Sequence, residues 1–395
     1  MTVNGTEARL ARIRGRALPR SHNARTIAAL ASNPGCARRA VMDAAGVDKP
    51  RLAAYSGFPV PFGQSRFAIT RGNAFEAQVK AGGAAELLRL LREHLRLPIP
   101  EASYDDLSEV AGNASPDLRH ARTRNLLARA VRANEDAARG GDPVPGLDAG
   151  TMFDHPLLRL EVGGRHAYLE PDLIAFQVRG RFHVLEIKSF PVIDGRADGE
   201  KVAAAAIQSA VYVLALRGAL TGLGVPPTAV SDETILVCPK DFSNQPVAAS
   251  LDVRKQLTVL RRQLSRIARI DDLLSVLPPE LTFDLDSDDR GIPRRAPADV
   301  AGAIRQVEAR YAPECLSTCE MCFFCRDEAH GCTTALGRDV RDDLGGVEHT
   351  ASVLRLAREV GPLAGDEGMA EAASLLRTAA RLRAESLGAP MREVG

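Results

Sequence analysis

The sequence predicts an α/β fold in which a central mixed β-sheet is flanked by helices and interrupted by helical insertions. Three observations lead there. From residue 156 onward, LLRLEV, HAYLEPDLIAFQV and RFHVLEIKSF follow one another, separated by Gly-Gly and Arg-Gly pairs. That is the pattern of three consecutive strands joined by hairpins. GEKVAAAAIQSAVYVLALRGAL comes next, rich in Ala and closed by Gly, as a helix is. DETILVCPK is then a short apolar run with the length of a buried strand.

The remaining elements fall around this core. Residues 1–65 mix short helical stretches with Pro and Gly. Residues 66–96 carry helical periodicity, with Leu87, Leu88, Leu90 and Leu91 near the end. The chain between 97 and 150 is polar and Arg-rich. It reads as a helical insertion, a helix over SPDLRHARTRNLLARAVRANEDAARG and then a Gly/Pro/Asp loop. LDVRKQLTVLRRQLSRIARIDDLLSVL reads as one long amphipathic helix and APADVAGAIRQVEARY as another. The expected organisation is an N-terminal segment 1–65, a core 66–340 that includes a cysteine-rich run at 315–332, and a C-terminal extension 341–395 with two helices.

The 395 residues carry a net charge of only +1, so nucleic-acid binding has to rest on a local patch. RHARTRNLLARAVR and RKQLTVLRRQLSRIAR are the candidates for phosphate contacts. Tryptophan is absent, which argues against an extended base-stacking platform; Phe323 and Phe324 are the aromatic candidates. Only six of the 51 basic residues are lysine, so a lysine at a motif position is the more informative. The basic N-terminus lacks the apolar segment of a signal peptide, and no run of about 18 apolar residues occurs. A soluble cytoplasmic protein without membrane contact is expected. No G-x-x-x-x-G-K-[ST] pattern is present, so the chain is not expected to be an ATP motor.

The candidate chemistry lies in LEPD and LEIKSF. Side chains alternate across a strand, so Glu186 and Lys188 share a face. Asp172 sits across a hairpin from them. Two carboxylates and an ammonium are thereby expected to meet at one sheet edge, where carboxylate oxygens suit magnesium. A bound ion there activates water for attack on phosphorus, and the lysine orients that water or offsets developing charge. Pro171 interrupts ladder pairing and marks a strand start. Gln208 and Tyr212 are spaced i, i+4 on the following helix and share a face. Glu76, on the helix before the strands, is a further carboxylate.

In this order, Glu76, Asp172, Glu186-x-Lys188 and Gln208-x-x-x-Tyr212 resemble the motifs of the PD-(D/E)XK nuclease superfamily, and more narrowly of its RecB-like branch. The resemblance covers about residues 25–335. It implies a restriction-endonuclease-like core and a Mg2+- or Mn2+-dependent deoxyribonuclease. Such an enzyme acts at DNA ends, as an exonuclease more than an endonuclease, in repair, recombination or defence against foreign DNA. It implies Asp172, Glu186 and Lys188 as catalytic residues. It implies Glu76, Asp172, Glu186 and the main-chain oxygen of Ile187 as metal ligands, with Gln208 and Tyr212 holding substrate. Many members have His where this chain has Glu76. The alternative is a catalytically silent DNA-binding or scaffold subunit of a helicase–nuclease. A separate helicase or defence-complex subunit is a partner under either reading.

Seven cysteines are present. Cys238 lies in an apolar strand and reads as a small buried hydrophobe. Five are packed into CLSTCEMCFFCRDEAHGC, for which metal is the default reading in an intracellular chain. Some RecB-like members carry a 4Fe–4S cluster held by one cysteine before the core and three after it. The CRISPR adaptation nucleases and the AddB subunit of bacterial end-resection enzymes are similar in this. The resemblance implies Cys36 as the first ligand. Cys322, Cys325 and Cys332 complete one set, with Cys315 and Cys319 as alternative ligands, since Cys315, Cys319 and Cys325 complete another. Structural zinc is the competing occupant. The expected role is a staple between the two ends of the chain, without electron transfer.

Overall fold

The computed structural model describes residues 3–33, 35–60, 66–96, 102–107, 115–138, 151–162, 165–176, 181–241, 243–267, 270–358 and 367–387. Four helices open the chain: α1 (Val3–Arg14), α2 (Ala24–Ser32), α3 (Ala37–Ala45) and α4 (Lys49–Tyr55). Then come α5 (Arg66–Leu95), β1 (Ser103–Asp106), α6 (Pro116–Ala138), β2 (Thr151–Asp154), β3 (Leu158–Val162), β4 (Arg165–Leu169), β5 (Leu173–Phe176) and β6 (Phe182–Ile187). After α7 (Gly199–Thr221) follow β7 (Glu233–Pro239), β8 (Pro246–Asp252), α8 (Arg254–Ile267), α9 (Ile270–Ser275) and α10 (Pro297–Arg305). The chain closes with α11 (Cys315–Thr318), α12 (Cys322–Glu328), α13 (Arg338–Asp343), α14 (Thr350–Arg358) and α15 (Glu367–Ser386).

Six strands form one mixed sheet in the order β1-β2-β5-β6-β7-β8. The β1/β2 and β6/β7 pairs are parallel and the other three antiparallel. Alternation along the strands builds two separate cores. Phe153, Ile174, Phe182 and Val184 point to one face and pack under α7, with α2 and α8 beside it. Met152, Leu173, Ala175, Leu185, Ile187, Ile235 and Val237 point to the other and meet Phe75, Val79, Leu87, Leu90 and Leu91 of α5. The helix α5 bends to follow the sheet at Ala81–Ala84. There Gly82 and Gly83 take φ of 63° and 69°, which glycine adopts without steric cost.

A third core joins the two ends of the described core region. α1, α3 and α4 pack against α9, the stretch around Leu281–Leu285, α10, α11 and α12. The N-terminal helices expected in segment 1–65 thus share a core with residues that follow the sheet. The C-terminal helices α14 and α15 make a small separate cluster through Val353, Leu356 and Ala373.

The predicted α/β class with a helix-flanked mixed sheet is what the chain forms, and several local expectations are corrected. The run HAYLEPDLIAFQV is two strands in two sheets. β4 pairs only with β3, while β5 joins the main sheet. The break falls at Pro171, which has no N–H to donate to a ladder. The Gly163-Gly164 and Arg179-Gly180 turns and the loop expected over residues 139–150 lie outside the described residues. The expected long helix starting at LDV splits, because Leu251 and Asp252 end β8 and α8 begins only at Arg254. The polar insertion contributes a strand as well, since β1 pairs with β2. Its sequence, SYDD, has no apolar alternation to reveal it.

Candidate functional site

Asp172 precedes β5 and Glu186 lies near the end of β6. Extending the pairing Leu173↔Leu185 by one residue sets them opposite each other. β6 is hydrogen-bonded on both sides, so the group sits at the end of an interior strand and not on an edge strand. Asp172 Oδ2 accepts a 2.7 Å hydrogen bond from the main-chain N–H of Ile187. By alternation Asp172, Glu186 and Lys188 all belong to the α7 side. Glu186 is fully buried. The Lys188 ammonium lies against its Oε1, yet neither carboxylate oxygen has an aligned hydrogen-bond donor. Burial, and then the charge of Asp172, push the Glu186 carboxyl up to about 8 despite Lys188. Burial also raises Asp172, against the pull of Lys188 and the Ile187 N–H. Lys188 is disfavoured by burial but held above its ordinary value by Glu186 and Asp172.

Glu76 comes from the other face of the sheet. On α5 it is salt-bridged to Lys80 at 2.5 Å, one turn along, and lies 3.1 Å from His155 Nε2. Lys80 also reaches Asp154 Oδ1 at 2.5 Å and donates to the main-chain oxygen of Asp172 at 3.1 Å. The Tyr104 hydroxyl donates to Asp154 as well. His155 Nδ1 stands 2.9 Å from Asp154, close enough for an ion pair though not aligned for a hydrogen bond. Glu76, Asp154 and His155 offer three ligand atoms within 4.8 Å of one another, a set suited to a metal ion. The two groups of residues therefore meet at the main chain of Asp172, and the charge of Glu76 is felt by Asp172, Glu186 and Lys188.

Sequence reasoning missed Lys80, Tyr104, Asp154 and His155. The available signal was Lys80, one of six lysines and one turn after Glu76. Asp154 and His155 carry no local pattern. His155 holds a left-handed φ of 49°, costly for a side chain with a Cβ. The carboxylates of Asp154 and then Glu76 raise its imidazole to about 10. Its contribution to stability is present in full below its ordinary value of 6.5 and is lost as pH rises through about 10. The melting temperature of wild-type protein is therefore expected to fall between these limits, and His155→Gln is expected to flatten that slope. Parallel pH profiles for the two proteins would disprove the coupling.

Gln208 donates a 3.0 Å hydrogen bond to the Tyr212 hydroxyl. Tyr212 is 4% exposed, and burial followed by the Glu186 charge raise its phenol. The pair thus backs the carboxylate group from α7, with Gln208 the more open of the two. Ile187 places its N–H on Asp172 and packs its side chain towards α5.

All seven cysteines are free, and Cys36, Cys315, Cys319, Cys322 and Cys325 lie near one another. Cys315 is raised mainly by burial, with the neighbouring Cys36 contributing, and Cys325 by burial with Cys319 and Cys36 contributing. Cys322 is likewise influenced by Cys315. Cys332 is half-buried further along, its backbone paired with that of His349. Three buried cations, Arg38, Arg39 and Lys49, surround the group. They pair with Glu328, Asp43 and Glu320. Cys238 is 1% exposed in β7 among apolar side chains. Phe324 is no stacking platform. It is 1% exposed, edge-on to Phe58 at 5.4 Å, with Arg38 and Arg305 over its ring.

Among the described residues, α7 has the length and apolar content to cross a membrane, but 56% of its most apolar window is buried and it packs on the sheet as a core helix. Exposed arginines line the outer sides of the two basic helices, Arg122, Arg129 and Arg132 on α6 and Arg261 and Arg262 on α8.

No protein-family model matches the chain, and no curated protein does. A solved structure titled "Crystal structure of SSO0001" matches over 46% of this chain and 84% of that one, at 14% sequence identity and a TM-score of 0.18. Likeness of that degree establishes neither family nor fold.

Proposed function

We propose that the chain is a metal-dependent DNA nuclease of the RecB-like PD-(D/E)XK kind, hydrolysing phosphodiester bonds near DNA ends inside the cell. The observation that carries this reading is Glu186. A fully buried carboxyl beside a second carboxylate, with only the unaligned Lys188 ammonium against it, suits a site that a metal cation completes. The donors fit Mg2+ or Mn2+: Asp172 and Glu186, with the Ile187 main-chain oxygen and Glu76 nearby. Bound there, such an ion supplies Lewis acidity and a water of lowered pKa.

The protein's own groups do the rest. The Ile187 N–H holds the Asp172 carboxylate in place. Lys80 and the main-chain N–H of His155, at 3.4 Å, hold the Asp172 carbonyl. Lys188, with its side chain 28% exposed, faces both carboxylates and solvent, where it orients water or offsets charge on phosphate. The exposed arginines of α6 and α8 suit phosphate contacts. A helicase or defence-complex subunit is the partner this reading calls for.

The cysteine centre is read as a 4Fe–4S staple held by Cys36 and three of the clustered cysteines, Cys322, Cys325 and Cys332 as one set with Cys315 and Cys319 as alternative ligands, and zinc as the competing occupant.

The test is cleavage of end-labelled single- and double-stranded DNA by anaerobically purified protein with Mg2+ or Mn2+. Lys188→Ala is expected to lower kcat by about 10²–10³-fold. Folded, metal-replete protein that binds DNA ends without cutting them would turn the reading to a scaffold subunit.

A further inference from the structure

Two side chains from the N-terminal helices point hydrogen-bond donors at cysteine sulfurs almost 300 residues away. Asn33 Nδ2 lies 3.1 Å from Cys315 Sγ. Arg38 Nη1 lies 3.2 Å from Cys325 Sγ. Both sulfurs must accept. Arginine has no acceptor atom, so the Arg38 contact runs one way. The Asn33 amide is oriented by a second contact, from the same nitrogen to the Arg310 carbonyl, which can only accept. Neither donor is loosely placed. Arg38 is 1% exposed and is clamped by Val307 O at 3.0 Å and by both Glu328 oxygens at 2.6 and 3.0 Å. Asn33 is 7% exposed.

The surrounding charges explain why such donors matter. The three buried cations are each engaged by a carboxylate, which offsets part of their charge at sulfur ligands that bind as thiolates. A buried thiolate then depends on directed N–H groups. We infer that Asn33 and Arg38 are positioning residues of the cysteine centre, each fixing one sulfur ligand and stabilising its charge. Hydrogen bonds to ligand sulfur also set the reduction potential of an iron–sulfur centre. The inference rests on the reading of that centre given above, and it identifies Cys315 and Cys325 as ligands.

The experiment uses full-length protein purified anaerobically, with iron, sulfide and zinc content, absorbance near 400 nm, midpoint potential and chelator release measured on each sample. Asn33→Asp keeps the shape and replaces the donor by a carboxylate. Arg38→Met removes the fork, and Arg38→Lys keeps only the charge. Asn33→Asp and Arg38→Met are expected to bind the cluster, to release it to chelator about tenfold faster or more, and to shift the midpoint potential downward. Arg38→Lys is expected to fall between. Cluster-loaded variants with wild-type release rates and potentials overturn the inference and leave the cluster reading standing. Wild-type protein that binds no metal overturns both. Because Arg38 also braces Val307 and Glu328, a poorly folded Arg38→Met leaves Asn33→Asp to decide the matter.

Discussion

Glu186→Gln protein is expected to be more stable than wild type in the absence of divalent metal, and inactive in its presence. The wild-type carboxyl titrates at about 8, against 4.5 for an ordinary Glu. At pH 7 that difference amounts to about 3 kcal/mol of stability spent on holding the ionisable group in place. The sign follows from the direction of the shift. The folded state binds the proton more tightly than the unfolded one, so the contribution of Glu186 grows more unfavourable as pH rises from 4.5 to about 8. Glutamine removes it, while Lys188 keeps Asp172 as a partner. A net gain of about 1–3 kcal/mol is expected, widening with pH over that range, and read as a higher melting temperature. Mn2+ or Mg2+ is expected to raise the melting temperature of wild-type protein and not that of the variant, because ligand binding stabilises only a fold that binds. A Glu186→Gln protein that is less stable than wild type at every pH would make Glu186 a structural residue.

Asp43→Ala is expected to destabilise the protein by about 3–5 kcal/mol, the effect of breaking a buried ion pair from one side. Asp43 is 5% exposed on α3 and accepts from Lys49 and, at 3.3 Å, from Arg39. Burial raises its carboxyl, but Lys49 and Arg39 outweigh burial and hold it below the usual range. Its contribution is therefore present at neutral pH and lost only in acid. Lys49 also pairs with Glu320 at 3.2 Å, and Arg39 reaches the Thr318 carbonyl at 3.1 Å. Removing Asp43 leaves two cations buried at the junction between α3 and the cysteine run. Denaturant titration and metal content should both respond. Wild-type stability with reduced metal content would mean that the network orders the cysteines without supporting the fold.

Much of this architecture is legible in local sequence. The apolar runs of β3 to β7, the Ala-rich α7 and the Leu-rich end of α5 announce themselves because each buries one face or both, and burial imposes a period. E-x-K puts two side chains on one face by strand geometry alone, and the structure brings Glu186 and Lys188 into contact. What local pattern does not encode is pairing. Pro171 ends a ladder, but that the strands on its two sides enter different sheets depends on which partners they meet. β1 is polar and forms because β2 offers it an open edge. Glu76 was expected with Asp172 and Glu186; its charge reaches both, and it is engaged as well by Lys80 and His155, because α5 packs on the opposite face and reaches the strand ends from behind. Among the cysteines, spacing left two sets open, and that Cys36 stands beside Cys315 and Cys325 depends on how α2 and α3 fold back over α11 and α12. The sequence by itself determined the class of fold, its main strands and the carboxylate–lysine motif, since those follow from side-chain periods within one element. The tertiary structure alone decided the Lys80–Asp154–His155 network, the burial of Glu186 and the donors on the cysteine sulfurs, since each joins residues far apart in the chain that only packing brings together.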